Sequence, residues 1–151
     1  MLLGVLGGVL ALVAHPGPSS LLRGLPVVLV GLALRLWAFR HLGPAGRTRD
    51  PRPPTGRVHT GPYRYVNHPV YLANVFVALG LVVCAAPAPA AALGCFGAVL
   101  SIYGALATRE SAQVHALAPR PSAALPLPAL LRSERSTWLS VAALLGVQFL
   151  A

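Results

Sequence analysis

The sequence is short of acid. Only three carboxylates, Asp50, Glu110 and Glu134, stand against twelve basic residues in 151, and all twelve are Arg, with no Lys. Charged residues make up 10% of the chain, against roughly a quarter in soluble domains, so there is too little charge to face water on every side. That scarcity excludes an ordinary soluble globule, and a hydrophobic content of 56% excludes a disordered chain. Cysteine is scarce too. Cys84 and Cys95 are too few for a disulfide scaffold and lack metal-ligand spacing; each lies in an apolar run, as a small buried side chain would.

What is present is apolar sequence in five runs: residues 1–14, 21–39, 70–86, 90–107 and 137–151. A spanning helix needs about 20 apolar residues, with a lower limit near 17. The middle three runs meet that limit. The first and last are short, which local thinning of the bilayer or flanking residues can accommodate. The first run has no positive segment ahead of it and no clear small-x-small cleavage site, so it reads as a helix rather than a signal peptide. The expected architecture is one all-α, polytopic membrane domain over residues 1–151, with about five transmembrane helices.

A net charge of +9 raises the question of a nucleic-acid partner. Placing the N-terminus in the cytoplasm answers it differently. Residues 40–69 and 109–136 then both lie inside, and they hold Arg40, Arg47, Arg49, Arg52, Arg57, Arg64, Arg109, Arg120, Arg132 and Arg135. Ten of the twelve arginines thus obey the positive-inside rule, and no nucleic acid is required. Arg35, one turn inside the end of the second run, reads as a snorkelling side chain; only Arg23 sits at the outer end. The expected location is a bacterial plasma (inner) membrane, with the N-terminus and basic loops cytoplasmic and the C-terminus outside. Residues 43–61, rich in Pro, Gly and Arg, read as an irregular loop. The segment APRPSAALPLP at 118–128 admits no long helix.

The densest polar cluster runs from His59 to Asn74, where the first basic loop enters the third apolar run. Pro69 suits the first turn of a helix. His68 or Asn67 then caps it, Asn being the better capping residue, and the first-turn N–H groups can hold a carboxylate or phosphate. Tyr71 and Asn74, three apart, share a helical face. Arg64, His68, Tyr71 and Asn74 can line one pocket at the membrane surface, or can form an aromatic and basic belt that only anchors the helix. Glu110 beside Arg109 is unexpected at a helix C-terminus, which favours cations. It calls for a partner, either Arg109, Arg64 or a cationic ligand, or else forms a solvated ion pair. Asp50 and Glu134, among arginines, read as solvated neighbours. Gly94, Gly97, Ala98 and Ser101 offer a small-residue face for close helix packing; the oligomeric state is left open.

Gly61-Pro62-Tyr63-Arg64-Tyr65-Val66-Asn67-His68-Pro69-Val70-Tyr71-Leu72-Ala73-Asn74, followed by Gly80, resembles the signature of the isoprenylcysteine carboxyl methyltransferase-like family. These are small integral-membrane enzymes that use S-adenosylmethionine, and the related phospholipid N-methyltransferases share the pattern. Upstream, Gly31-Leu32-Ala33-Leu34-Arg35-Leu36-Trp37-Ala38 is similar to the helix that precedes this signature, so the likeness covers residues 21–110. It implies an S-adenosylmethionine site on the cytoplasmic side, contacted by His68 and Tyr71 and by Tyr63, Pro69 and Asn74 of the same signature. Glu110 matches a glutamate that helps close that site, and Glu110 and Arg64 are the implied catalytic residues. His68, the helix N–H groups and Arg64 suit the carboxylate of the cofactor, and Glu110 suits its ammonium. The implied substrate is lipophilic or lipid-modified, offering a carboxyl, thiol or amine to the methyl group; no metal is implied. The chain departs from the pattern at Asn67, where the family has Arg, and at Ala73, where it has Gly. The usual Glu-Glu pair is reduced to Glu110-Ser111, or to Arg109-Glu110 in another register, and residues 111–128 contain no Phe, Tyr or Trp. A non-catalytic membrane protein that keeps the fold as a scaffold or binder is the competing class.

Overall fold

Proline decides where the helices begin. In the computed structural model, which describes residues 17–43, 56–115, 117–120 and 124–150, four long helices follow one another, each with a Pro in its first turn. They are α1 (Pro18–Leu42), α2 (Pro69–Ala85), α3 (Pro89–His115) and α4 (Leu127–Leu150). The first turn tolerates Pro because its N–H would have no helical partner anyway. Between α1 and α2 lie a short strand, β1 (Arg57–Val58), and a 3₁₀ turn (Gly61–Arg64); β2 (Pro119–Arg120) precedes α4. The apolar run at 1–14 and residues 44–55 of the first basic loop, including Asp50, lie outside the described residues.

The expected second and third runs coincide with α1 and α2 to within about three residues. The last two helices are longer than their apolar runs. No Pro or Gly interrupts residues 105–118, so α3 continues past residue 107 and carries Glu110 within the helix. The helix α4 begins at Leu127 instead of residue 137, because Pro128 fits its first turn and helix-compatible residues follow. Among the described residues, α1 and α3 are long and apolar enough to cross a membrane. The 17-residue α2 spans about 26 Å, a little under the roughly 30 Å of a hydrocarbon core. Leu22, Leu29 and Val30 on α1 and Leu93, Leu100 and Ile102 on α3 face outward, a distribution suited to lipid and unsuited to water.

Close approach of α1 and α2 organises the bundle. A Cβ at Gly31 would stand 2.7 Å from the Val77 nitrogen, and one at Gly24 would stand 2.6 Å from the Gly80 carbonyl oxygen. Only glycine permits that separation, and such packing supplies van der Waals attraction where lipid offers no hydrophobic drive. The Ser20 hydroxyl accepts from the Gly17 N–H at 3.0 Å and lies 3.0 Å from the Cys84 carbonyl, tying the start of α1 to the end of α2. Val28 and Leu32 pack with Val77, Leu81 and Val82, and Val141 and Trp138 of α4 close over them. Among the described residues the small-residue face expected on α3 does not take part. A Cβ added at Gly94 or Gly97 meets nothing among the described residues within 4 Å, since α3 meets α2 through Val99 and Tyr103 on another face.

The two basic segments meet at one end of the bundle. Strand β1 pairs in parallel with β2, the Arg57 N–H donates to the Ala118 carbonyl at 2.9 Å, and the Leu125 N–H donates to the Arg40 carbonyl at 3.2 Å. Gly61 has φ +59°, and a Cβ there would stand 2.3 Å from the His41 ring. Both the backbone angle and the space require glycine at this turn.

Candidate functional site

The first turn of α2 is fixed by Pro69, which makes His68 the N-cap residue. Asn67, the better capping residue by type, is therefore one position too early. Its side-chain oxygen instead accepts a 2.6 Å bond from Arg57, holding the loop. The His68 imidazole makes no capping bond. Its Nε2 lies 2.8 Å from the Ser111 hydroxyl, and its Nδ1 lies 3.8 Å from Glu110 Oε2. Three residues on, the Tyr71 hydroxyl donates to Glu110 Oε1 at 2.5 Å. The His68 and Tyr71 rings are stacked, 11° from parallel, with centroids 5.5 Å apart.

Continuation of α3 beyond the apolar run delivers Glu110 and Ser111 to this point. Tyr103, two turns earlier on α3, lies 5.5 Å from the Tyr71 ring. Thus His68, Tyr71 and Glu110, singled out in the sequence, come together, but the partners of Glu110 are not the arginines expected of it. Arg64 and Arg109 are exposed. Tyr63 is half-buried on the 3₁₀ turn, and Pro69 acts by setting the cap. The Glu110 side chain is 50% exposed and that of His68 15%, so the carboxylate stands at the mouth of the cluster.

Asn74 is buried one turn further along α2, where it belongs to a second set of residues. Its side-chain oxygen accepts from the Arg35 guanidinium, and Tyr103 lies beside it. Arg35 Nε donates to Glu134 Oε2 at 2.5 Å, and the guanidinium lies over the Phe39 ring, 4.9 Å from its centroid. Each helix contributes one polar residue: Arg35 from α1, Asn74 from α2, Tyr103 from α3 and Glu134 from α4. Two expectations are corrected here. Glu134 is 4% exposed rather than solvated, and Arg35 is paired within the bundle rather than snorkelling to its surface. The reason is helical phase. Leu130, Glu134, Trp138 and Val141 fall on one inward stripe of α4, and Arg35 follows Leu32 on the inward stripe of α1. That spacing is the signal that could have found both residues. A buried pair of this kind leaves a costly lone charge when either partner is removed, about 3–5 kcal/mol.

A family model described as phospholipid methyltransferase matches residues 19–116, which span α1, α2 and α3 with the His68 cluster and leave α4 outside. No curated protein and no solved structure matches the chain.

Proposed function

This chain belongs to the phospholipid methyltransferase family, a family of membrane methyltransferases, and on that premise we propose that it transfers a methyl group from S-adenosylmethionine to a lipophilic, membrane-borne acceptor. The observation that carries the reading is the convergence of His68, Tyr71 and Glu110 from two helices at the mouth of one cluster. Their chemistry suits the cofactor. A half-exposed carboxylate with one oxygen held by Tyr71 keeps lone pairs free for an ammonium, and hydrogen bonds to charged groups are the stronger kind. The His68 imidazole suits a carboxylate, while the Tyr71 and Leu72 N–H groups of the first turn are already bonded to the His68 carbonyl.

When bound, S-adenosylmethionine supplies an electrophilic methyl group on a positively charged sulfonium. The protein supplies position. Tyr71 orients Glu110, Ser111 orients His68, and Pro69 fixes the helix start that aims both side chains. Tyr63 and Arg64 complete the assignment, Arg64 as a cation reaching the acceptor or the cofactor carboxylate; Asn74, expected in the same pocket, is buried behind it with its oxygen held by Arg35. Holding the acceptor nucleophile in line with the methyl group removes most of the entropic barrier, so this chemistry needs little covalent help from side chains. The acceptor is an amine, thiol or carboxyl; a carboxyl would make the enzyme an isoprenylcysteine-type methyltransferase. Clustering of the basic segments at one end of the bundle favours a cytoplasmic site in the bacterial plasma membrane.

The deciding experiment is calorimetric titration of the detergent-purified full chain with S-adenosylmethionine. Saturable binding is expected; no heat of binding at millimolar cofactor, in protein shown by circular dichroism to be helical, would overturn the proposal. In the same assay His68→Ala should weaken binding about tenfold, the loss of one hydrogen bond in a charged site. Unchanged affinity would make the cluster an interfacial belt.

A further inference from the structure

We infer that Glu134, on a helix outside the residues matched to the family, is a positioning residue for the candidate site, acting through Arg35 and Asn74 on Tyr103 and Tyr71. The inference rests on the proposed site and extends it to the C-terminal helix. Its basis is a continuous set of contacts. Glu134 holds Arg35 at 2.5 Å, and Arg35 holds the Asn74 oxygen beside Tyr103. Tyr103 then packs on Tyr71 at 5.5 Å, and Tyr71 grips Glu110. Asn74 also stands one helical turn from Tyr71, so whatever fixes Asn74 fixes the first turns of α2.

Geometry makes the pair more than packing. An apolar residue would fill the same space at the crossing of four helices with no desolvation cost. Ionisable residues inside an apolar bundle are expensive and tend to mark function. Arg35 is suited to the task because its planar fork addresses two partners in fixed directions, here Glu134 on one side and Asn74 on the other. The carboxylate therefore sets the guanidinium plane, and that plane sets the amide. The missing aromatic residues in 111–128 give this arrangement its purpose: α4 reaches the site from within the bundle, through Glu134.

The four tyrosines, Tyr63, Tyr65, Tyr71 and Tyr103, allow a test that needs no cofactor. With ¹³Cζ-labelled tyrosine, Glu134→Gln in micelles should shift the Tyr103 and Tyr71 resonances and leave exposed Tyr65 in place. S-adenosylmethionine affinity and the methyl-transfer rate should fall by about 10-fold to 100-fold, the range expected of a small misplacement, and Glu134→Asp should recover part of the loss. Because the single variant strands a buried Arg, the double variant Arg35→Leu/Glu134→Leu is measured beside it. It should remain folded and show the same tyrosine shifts. Unmoved Tyr71 in the folded double variant would overturn the inference and make the pair a packing device. Shifted Tyr71 in a protein whose wild type binds no S-adenosylmethionine would uphold the coupling and sink the cofactor reading alone.

Discussion

Gly80→Leu is expected to abolish the folded state in detergent or to lower its melting temperature by about 10 °C or more. A Cβ at Gly80 would stand 2.6 Å from the Val28 nitrogen and 3.0 Å from the Gly24 carbonyl oxygen. These are backbone atoms of α1, which cannot rotate away as a side-chain tip can. To admit a leucine the two helices must separate along the whole contact, taking Gly24 from Cys84 and Gly31 from Val77. Overpacking of this kind costs about 3 kcal/mol or more, which for a chain of this size corresponds to roughly 10 °C. The comparison variant is Gly97→Leu, on an α3 face where an added Cβ meets none of the described residues within 4 Å; its melting should match the parent. Thermal circular dichroism of the two variants side by side decides the matter. Equal melting of Gly80→Leu and the parent would show that α1 and α2 do not pack through these glycines.

The same contact explains which parts of the molecule were legible before the fold was known. Hydropathy and proline are local signals. They placed α1 and α2 closely because each apolar run there is bounded by Pro, Gly or a polar cap. They misplaced the start of α4 by ten residues, because residues 127–136 are polar enough to read as loop yet contain nothing that stops a helix. The glycine crossing was less visible. Gly94 and Gly97 form as good a small-residue face as Gly24 and Gly31, and only the pairing of helices distinguishes a used face from an unused one. Charge was the least legible feature. Glu134 sits between Arg132 and Arg135 in the sequence, but residues one or two apart on a helix do not face each other. Its partner, Arg35, is 99 positions away. The signature at 61–74 pointed to His68 and Tyr71 and to a distant glutamate, but not to the 2.5 Å bond that joins Tyr71 to Glu110 across 39 positions.

That bond frames the second large effect. Glu110→Gln is expected to weaken S-adenosylmethionine binding by about 10-fold to 100-fold while leaving the melting temperature unchanged. The amide keeps an oxygen to accept from Tyr71, so the α2–α3 contact survives. The variant loses only the negative charge. Hydrogen bonds to charged groups contribute about 1.5–3 kcal/mol, and each 1.4 kcal/mol is a factor of ten in affinity. Glu134 is already committed to Arg35, so it cannot take over the ammonium. Stability should be indifferent because the side chain is half exposed and water solvates the change. Calorimetric titration and a thermal melt on the same preparation separate the two quantities. Lower stability with intact affinity would make Glu110 a strut between α2 and α3. Intact affinity with intact stability would leave it a solvated residue at a helix end. A selective loss of affinity is the result that a cofactor-binding carboxylate requires.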